Sequence, residues 1–149
     1  VAEVLDLTEA DYQPSGGTLL LDAIGRAVER CDLRAAESPD EDQVLVVITD
    51  GHENASADYS GPVVSNLLDA RQESGWSVLF LGANQDAAAT GTAMKMKQGN
   101  VRDFDATDSG VHEAIALAST AVFEHRSRGK AERHALKDDL FDDVDGDRT

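Results

Sequence analysis

Asp50 ends a run of buried-strand residues, "QVLVVIT", and opens the polar loop "DGHENASADYSG". An acid at that place can ligate a metal, take part in catalysis, or cap the turn that follows it. Thr18 is the second residue of interest. It stands where "SGGT" gives way to the helix-periodic "LLLDAIGRAV", on a loop loosened by Gly16 and Gly17. A hydroxyl and a carboxylate are hard oxygens suited to Mg²⁺, which keeps several of its waters and takes few protein ligands. The same threonine could instead cap its helix.

The catalytic options for Asp50 depend on its neighbours. A phosphatase that forms an aspartyl phosphate needs a second aspartate two residues on, and His52 occupies that place. A phosphoacceptor aspartate needs a lysine at a later strand end, yet Lys95, Lys97, Lys130 and Lys137 all fall in helical segments or the tail. There is no nucleophile elbow, phosphate loop or dinucleotide glycine fingerprint. His112 and Glu113 begin a zinc-protease helix motif, but Ala116 stands in place of its second histidine. His125 and His134 have no spaced partners and read as solvated helix residues. An enzymatic alternative survives only as a small Rossmann-like hydrolase using Asp50 and His52 as an acid and base pair. The reading adopted is that the chain is not an enzyme.

The elements that must position these residues follow from periodicity. "VAEVLDL" alternates in a β-like way, and apolar Leu20, Ile24, Ala27, Val28 and Cys31 recur at helical spacing. "QVLVVIT" and "WSVLFLG" are near-continuous apolar runs, the pattern of strands covered on both faces. Between them Pro62 suits a first helical position, and Val63, Val64, Leu67 and Leu68 carry a helix to Gly75. An Ala-rich segment follows as a weaker helix, then "NVRDFDAT" as an edge strand. A long helix from Val111 to Arg128, capped by Ser109, is expected to bury Val111, Ile115, Ala118 and Val122. Alternation of helix and strand predicts a doubly wound α/β domain with a parallel sheet and right-handed crossovers. In such sheets ligands bind at the carboxyl ends of the strands, where Asp50 stands.

Residues 129–149 carry few apolar side chains and a dense acidic end, so they read as a short helical extension that dissolves into an acidic, disordered tail. "DDVDGD" is no calcium loop, because Phe141 holds the first ligand position. Over the 149 residues, 13 Lys and Arg face 29 Asp and Glu, a formal net charge of −16. Such a surface repels phosphate backbones and anionic lipids, which excludes nucleic acid and membrane surfaces as partners. Cys31 is the only cysteine and reads as a core thiol, without a disulfide or thiolate metal cluster.

"GGTLLLDAIGRAV" followed by "VLVVITDGHEN" resembles the threonine loop and third metal-site motif of von Willebrand factor type A domains. The similarity continues through "GWSVLFLGANQDA" and the strand and helix from Val101 to Arg128, so it covers residues 1–128. The resemblance implies a prokaryotic, intracellular, cytoplasmic recognition module that binds a protein partner through a metal-ion-dependent adhesion site. It assigns Thr18 and Asp50 to the metal, Gly16, Gly17, Gly51, Glu53 and Asn54 to the supporting loops, and an acidic side chain of the partner to the open coordination position. Mg²⁺ is the implied ion.

The family's Asp-x-Ser-x-Ser motif does not precede Thr18. Asp105, Thr107 and Ser109 imitate its spacing, but they lie where the family's last strand turns into its last helix. On this resemblance the family's first strands are also missing, so the chain is expected to be the C-terminal two-thirds of such a domain, with weak or absent metal binding. A metal-free scaffold module is the alternative. The missing strands would leave "QVLVVIT" with an unpaired edge, through which the chain is expected to self-associate. "VAEVLDL" could cover part of that edge but could not replace three strands and a helix.

Overall fold

The computed structural model describes residues 16–83 and 87–146. The β-like "VAEVLDL" lies outside the described residues. The elements run α1 (Leu20–Glu37), β1 (Val44–Thr49), α2 (Gly61–Glu73), β2 (Ser77–Ala83), α3 (Ala87–Ala93), β3 (Val101–Phe104), α4 (Asp108–Ser127), α5 (Lys130–Leu136) and α6 (Leu140–Gly146). The three described strands form a parallel sheet in the order β1-β2-β3. Val44 to Thr49 pair with Ser77 to Gly82, and Phe80 to Ala83 with Val101 to Phe104. No helix among the described residues is long and apolar enough to cross a membrane.

Helices cover both faces of this sheet. On one face Leu20, Ile24 and Val28 of α1 and Val64 and Leu68 of α2 pack on Leu45, Val47, Val78 and Phe80. On the other, Ala114, Ala118 and Ala121 of α4, with Leu140, Phe141 and Val144 of α6, pack on Leu79 and Leu81. Strand β2 is buried at every position, as a central strand of parallel topology requires. Cys31 is half-buried against the first core.

Five expectations need correction. Strand β1 is covered on one face only: Leu45 and Val47 are buried, whereas Val46 and Ile48 are exposed. Helix α4 buries Ala118 but leaves Val111 and Ile115 exposed, and its buried stripe is instead Gly110, Ala114, Ala118, Ala121 and His125. Small side chains let α6 and the sheet approach closely, so the alanines rather than the larger aliphatics face the core. Helix α4 also starts earlier than expected, and its cap is Thr107, whose hydroxyl accepts from Gly110 N at 3.1 Å. Ser109 donates to Glu113 instead. His125 is not solvated but 2 % exposed, and that burial pushes its pKa down.

The fifth correction concerns the acidic tail, in which helix continues past the expected short extension as far as Gly146. Leu140, Phe141 and Val144 share one helical face at one- and three-residue spacing, enough to dock a short helix. Asn100, fully buried, holds the entry to α6: its Nδ2 donates to Lys137 O and its Oδ1 accepts from Leu140 N, both at 2.7 Å. The acids that suggested disorder are partly paired, Asp143 with Arg128 and Asp142 with Arg102. Charge density marked the outer face of these helices and concealed the inner one.

Candidate functional site

Strand β1 delivers its last residues to the carboxyl edge of the sheet, and the chain entering α1 arrives at the same place. A Cβ added at Gly51 would lie 2.6 Å from Thr18 Oγ1, so the hydroxyl sits directly against the turn that follows Asp50. Only a residue without a side chain leaves Thr18 that room. Two hydrogen bonds join the loops. Thr18 N donates to Asn54 Oδ1 at 2.8 Å, and Asn54 N donates to Thr18 O at 3.1 Å. Gly17 is equally close-set, since a Cβ there would meet Ala55 Cβ at 2.8 Å; around Gly16 there is open space.

Neither Thr18 nor Asp50 acts as a cap. The residue at the α1 N-cap is Leu19, with no side-chain bond, and the turn after β1 is closed by Thr49. The Thr49 hydroxyl donates to Gly51 O at 2.9 Å and accepts from Gly51 N at 3.3 Å. The side chains of Thr18 and Asp50 have no hydrogen-bond or ion-pair partner among the described residues. Asp50 and His52 are exposed, and Thr18 is half-buried. The hydroxyls of Thr107 and Ser109, by contrast, are engaged within α4.

Two other carboxylates hold this loop in place. Glu53 Oε2 accepts from Leu21 N at 2.9 Å and from the Ser56 hydroxyl at 2.7 Å, while its Oε1 accepts from Ala55 N and Ser56 N. Asp22, buried on α1, accepts from Ala57 N, Asp58 N and Tyr59 N at 2.9–3.0 Å. The Ser56 hydroxyl also accepts from Asp22 N at 3.1 Å, which closes the network. Glu53 thus joins the two loops, its oxygens accepting from three backbone N–H groups and the Ser56 hydroxyl. The role of Asp22 was missed in the sequence, although an acid on the buried face of an amphipathic helix is a signal of a buried polar latch.

The latch has a pH consequence. Burial of Glu53 opposes its ionisation, but donation from Leu21, Ser56 and Ala55 outweighs it and brings the pKa from the ordinary 4.5 to about 2. The N–H of Ala57 lowers Asp22 in the same direction, against its burial, with help from Tyr59 and Asp58. Both groups have a folded pKa below the unfolded one, so their stabilisation is complete above the unfolded value and is lost as pH falls through the folded value. Unfolding free energy is expected to decline between about pH 4.5 and 2, with about 1–2 kcal/mol from Glu53 after allowance for its partial exposure. Denaturant titrations across that range check this, and Glu53→Gln should flatten the acid limb.

The fit to a divalent ion is partial. One free hydroxyl and one free carboxylate at the same sheet end match the chemistry of Mg²⁺, which retains waters. Among the described residues, no group of three or more His, Cys, Asp or Glu side chains is placed to hold a metal. Compared with protein-family models, with curated proteins and with solved structures, the chain finds no match.

Proposed function

We propose that the chain is a recognition module of the von Willebrand factor type A kind, in which Thr18 and Asp50 form a partial metal-ion-dependent adhesion site. The observation that carries this reading is the seat of the Thr18 hydroxyl against Gly51, the residue that follows Asp50, whose carboxylate nothing engages among the described residues. Side chains that only stabilised the loops would be hydrogen-bonded within them, as Asp22 and Glu53 are. Oxygens left free at the carboxyl end of a parallel sheet face the place where ligands bind.

In this role Thr18 and Asp50 bind and orient, and catalysis is not part of the function. When bound, Mg²⁺ supplies positive charge that attracts a carboxylate of a protein partner. Asp22 and Glu53 keep the two loops apposed, and Gly51 leaves space for the threonine. With one carboxylate available, affinity for the ion is weak, because most of its positive charge must be offset by solvent or by the partner.

The test is a Mg²⁺ titration of the intact chain followed by amide chemical shifts. Shifts confined to residues 16–19 and 50–54, abolished by Asp50→Ala with folding retained, are expected. Unchanged spectra at high Mg²⁺ would instead favour a metal-free scaffold module.

A further inference from the structure

An apolar groove of about 800 Å³ lies between β1 and α4, away from Thr18 and Asp50, and is lined by Val46, Ile48, Ile115, Val122 and Phe123. Val46, Ile48, Ile115 and Phe123 are 36–69 % exposed, an uncommon concentration of large apolar side chains in water. Beside the groove runs the edge of β1 that is turned away from β2, and it pairs with nothing among the described residues. Backbone N–H and C=O groups open to a further strand thus stand next to open seats for apolar side chains.

One end of the groove is charged. Helix α4 leaves the carboxyl end of β3 and runs back, so its last turn brings Arg126 to the amino end of β1, near Gln43 and Val44. Arg126 is exposed and has no ion-pair partner among the described residues. The acids of the same rim are each provided for: Asp40 pairs with Lys130, Glu41 with Arg34 and Asp42 with Arg133. Their charge therefore does not answer that of Arg126.

We propose that the groove takes an extended segment of a partner protein, added antiparallel to the open edge of β1, with alternate apolar side chains between β1 and α4 and an acidic group at its carboxyl end on Arg126. The open edge selects a peptide over a lipid. A hydrocarbon chain would fill the groove but leave the edge of β1 unpaired, whereas an added strand pairs its N–H and C=O groups and seats every second side chain. Val46 and Ile48 line the groove with that same period of two. Antiparallel pairing is the slightly more stable kind, and it carries the carboxyl end of the segment to the amino end of β1, where Arg126 stands. A guanidinium with no other acid to serve can hold a carboxylate through two parallel bonds, which fixes register as well as sign. A second copy of the chain is the poorer occupant, because each copy carries a net charge of −16.

This surface is separate from the adhesion site proposed above, and its test is run without Mg²⁺. A labelled synthetic peptide, in which valine and threonine alternate and the last residue is glutamate, is titrated with the intact chain and followed by fluorescence anisotropy. The expected result is binding that slows amide exchange in Val44–Thr49. Replacing the terminal glutamate by glutamine should weaken it about tenfold, as should Phe123→Ala, whose mostly exposed side chain leaves the melting temperature unchanged. Arg126→Glu should reverse the preference, so that a peptide ending in lysine binds better than one ending in glutamate. Failure of the peptide to bind would overturn the proposal, as would a dimer, seen by sedimentation, that excludes it. Equal binding of the glutamate and lysine peptides, or of a peptide with glutamate at its amino end instead, would overturn it too.

Discussion

Phe141→Ala is expected to lower the unfolding free energy by about 3–5 kcal/mol, as for other buried aromatic truncations. The side chain is fully buried with Leu140 and Val144 against Leu79, Leu81 and the alanine stripe of α4. Short helices such as α6 have little stability of their own, so packing must hold it in place. Denaturant melts of the variant and the parent measure the change. A change of under about 0.5 kcal/mol, the usual size for surface positions, would mean that α6 is not docked as described. The result bears on function, because a tail that completes the core cannot be removed as a dispensable acidic extension.

Asp22→Asn should have the second large effect. The substitution preserves shape but replaces one acceptor oxygen with an amide that cannot accept. At least one of the N–H groups of Ala57, Asp58 and Tyr59 then loses its partner. Leaving a donor unsatisfied costs more than its bond contributed. A fall in Tm of roughly 5–10 °C is expected, together with faster amide exchange at residues 57–59. The same loop carries Asp50 and rests on Thr18, so the variant should also blunt the Mg²⁺ response although Asp22 does not reach the ion. Unchanged exchange at residues 57–59 would remove Asp22 as the latch.

Together the two variants separate support from recognition. Phe141 acts on the face of the sheet covered by α4 and α6, whereas Asp22 acts at the carboxyl end of β1, where the proposed site is. Asp50→Ala should leave stability nearly unchanged, because its side chain engages nothing among the described residues. A residue that can be changed without loss of stability, set on a loop held by buried carboxylates, is available for binding.

The order and type of the elements from α1 to α4 were legible in the sequence because they depend on local signals. Apolar runs and alternation reach only a few residues along the chain, and "QVLVVIT" and "WSVLFLG" carry theirs whatever lies around them. The meeting of the Thr18 and Asp50 loops was legible for a related reason, since helix entries and strand ends gather at one edge of any parallel α/β sheet. Burial was a different matter. The apolar stripe of α4 pointed to Val111 and Ile115, but the side actually covered is decided by α6, more than ten residues farther on, whose own contribution was hidden under its acids. Whether Thr18 caps a helix or leaves its hydroxyl free was likewise open in the sequence; the structure puts Leu19 at the α1 N-cap and makes room for the hydroxyl at Gly51. Periodicity states which side chains can share a face, while the tertiary structure decides what covers that face, because burial and hydrogen-bond satisfaction depend on neighbours distant in the chain.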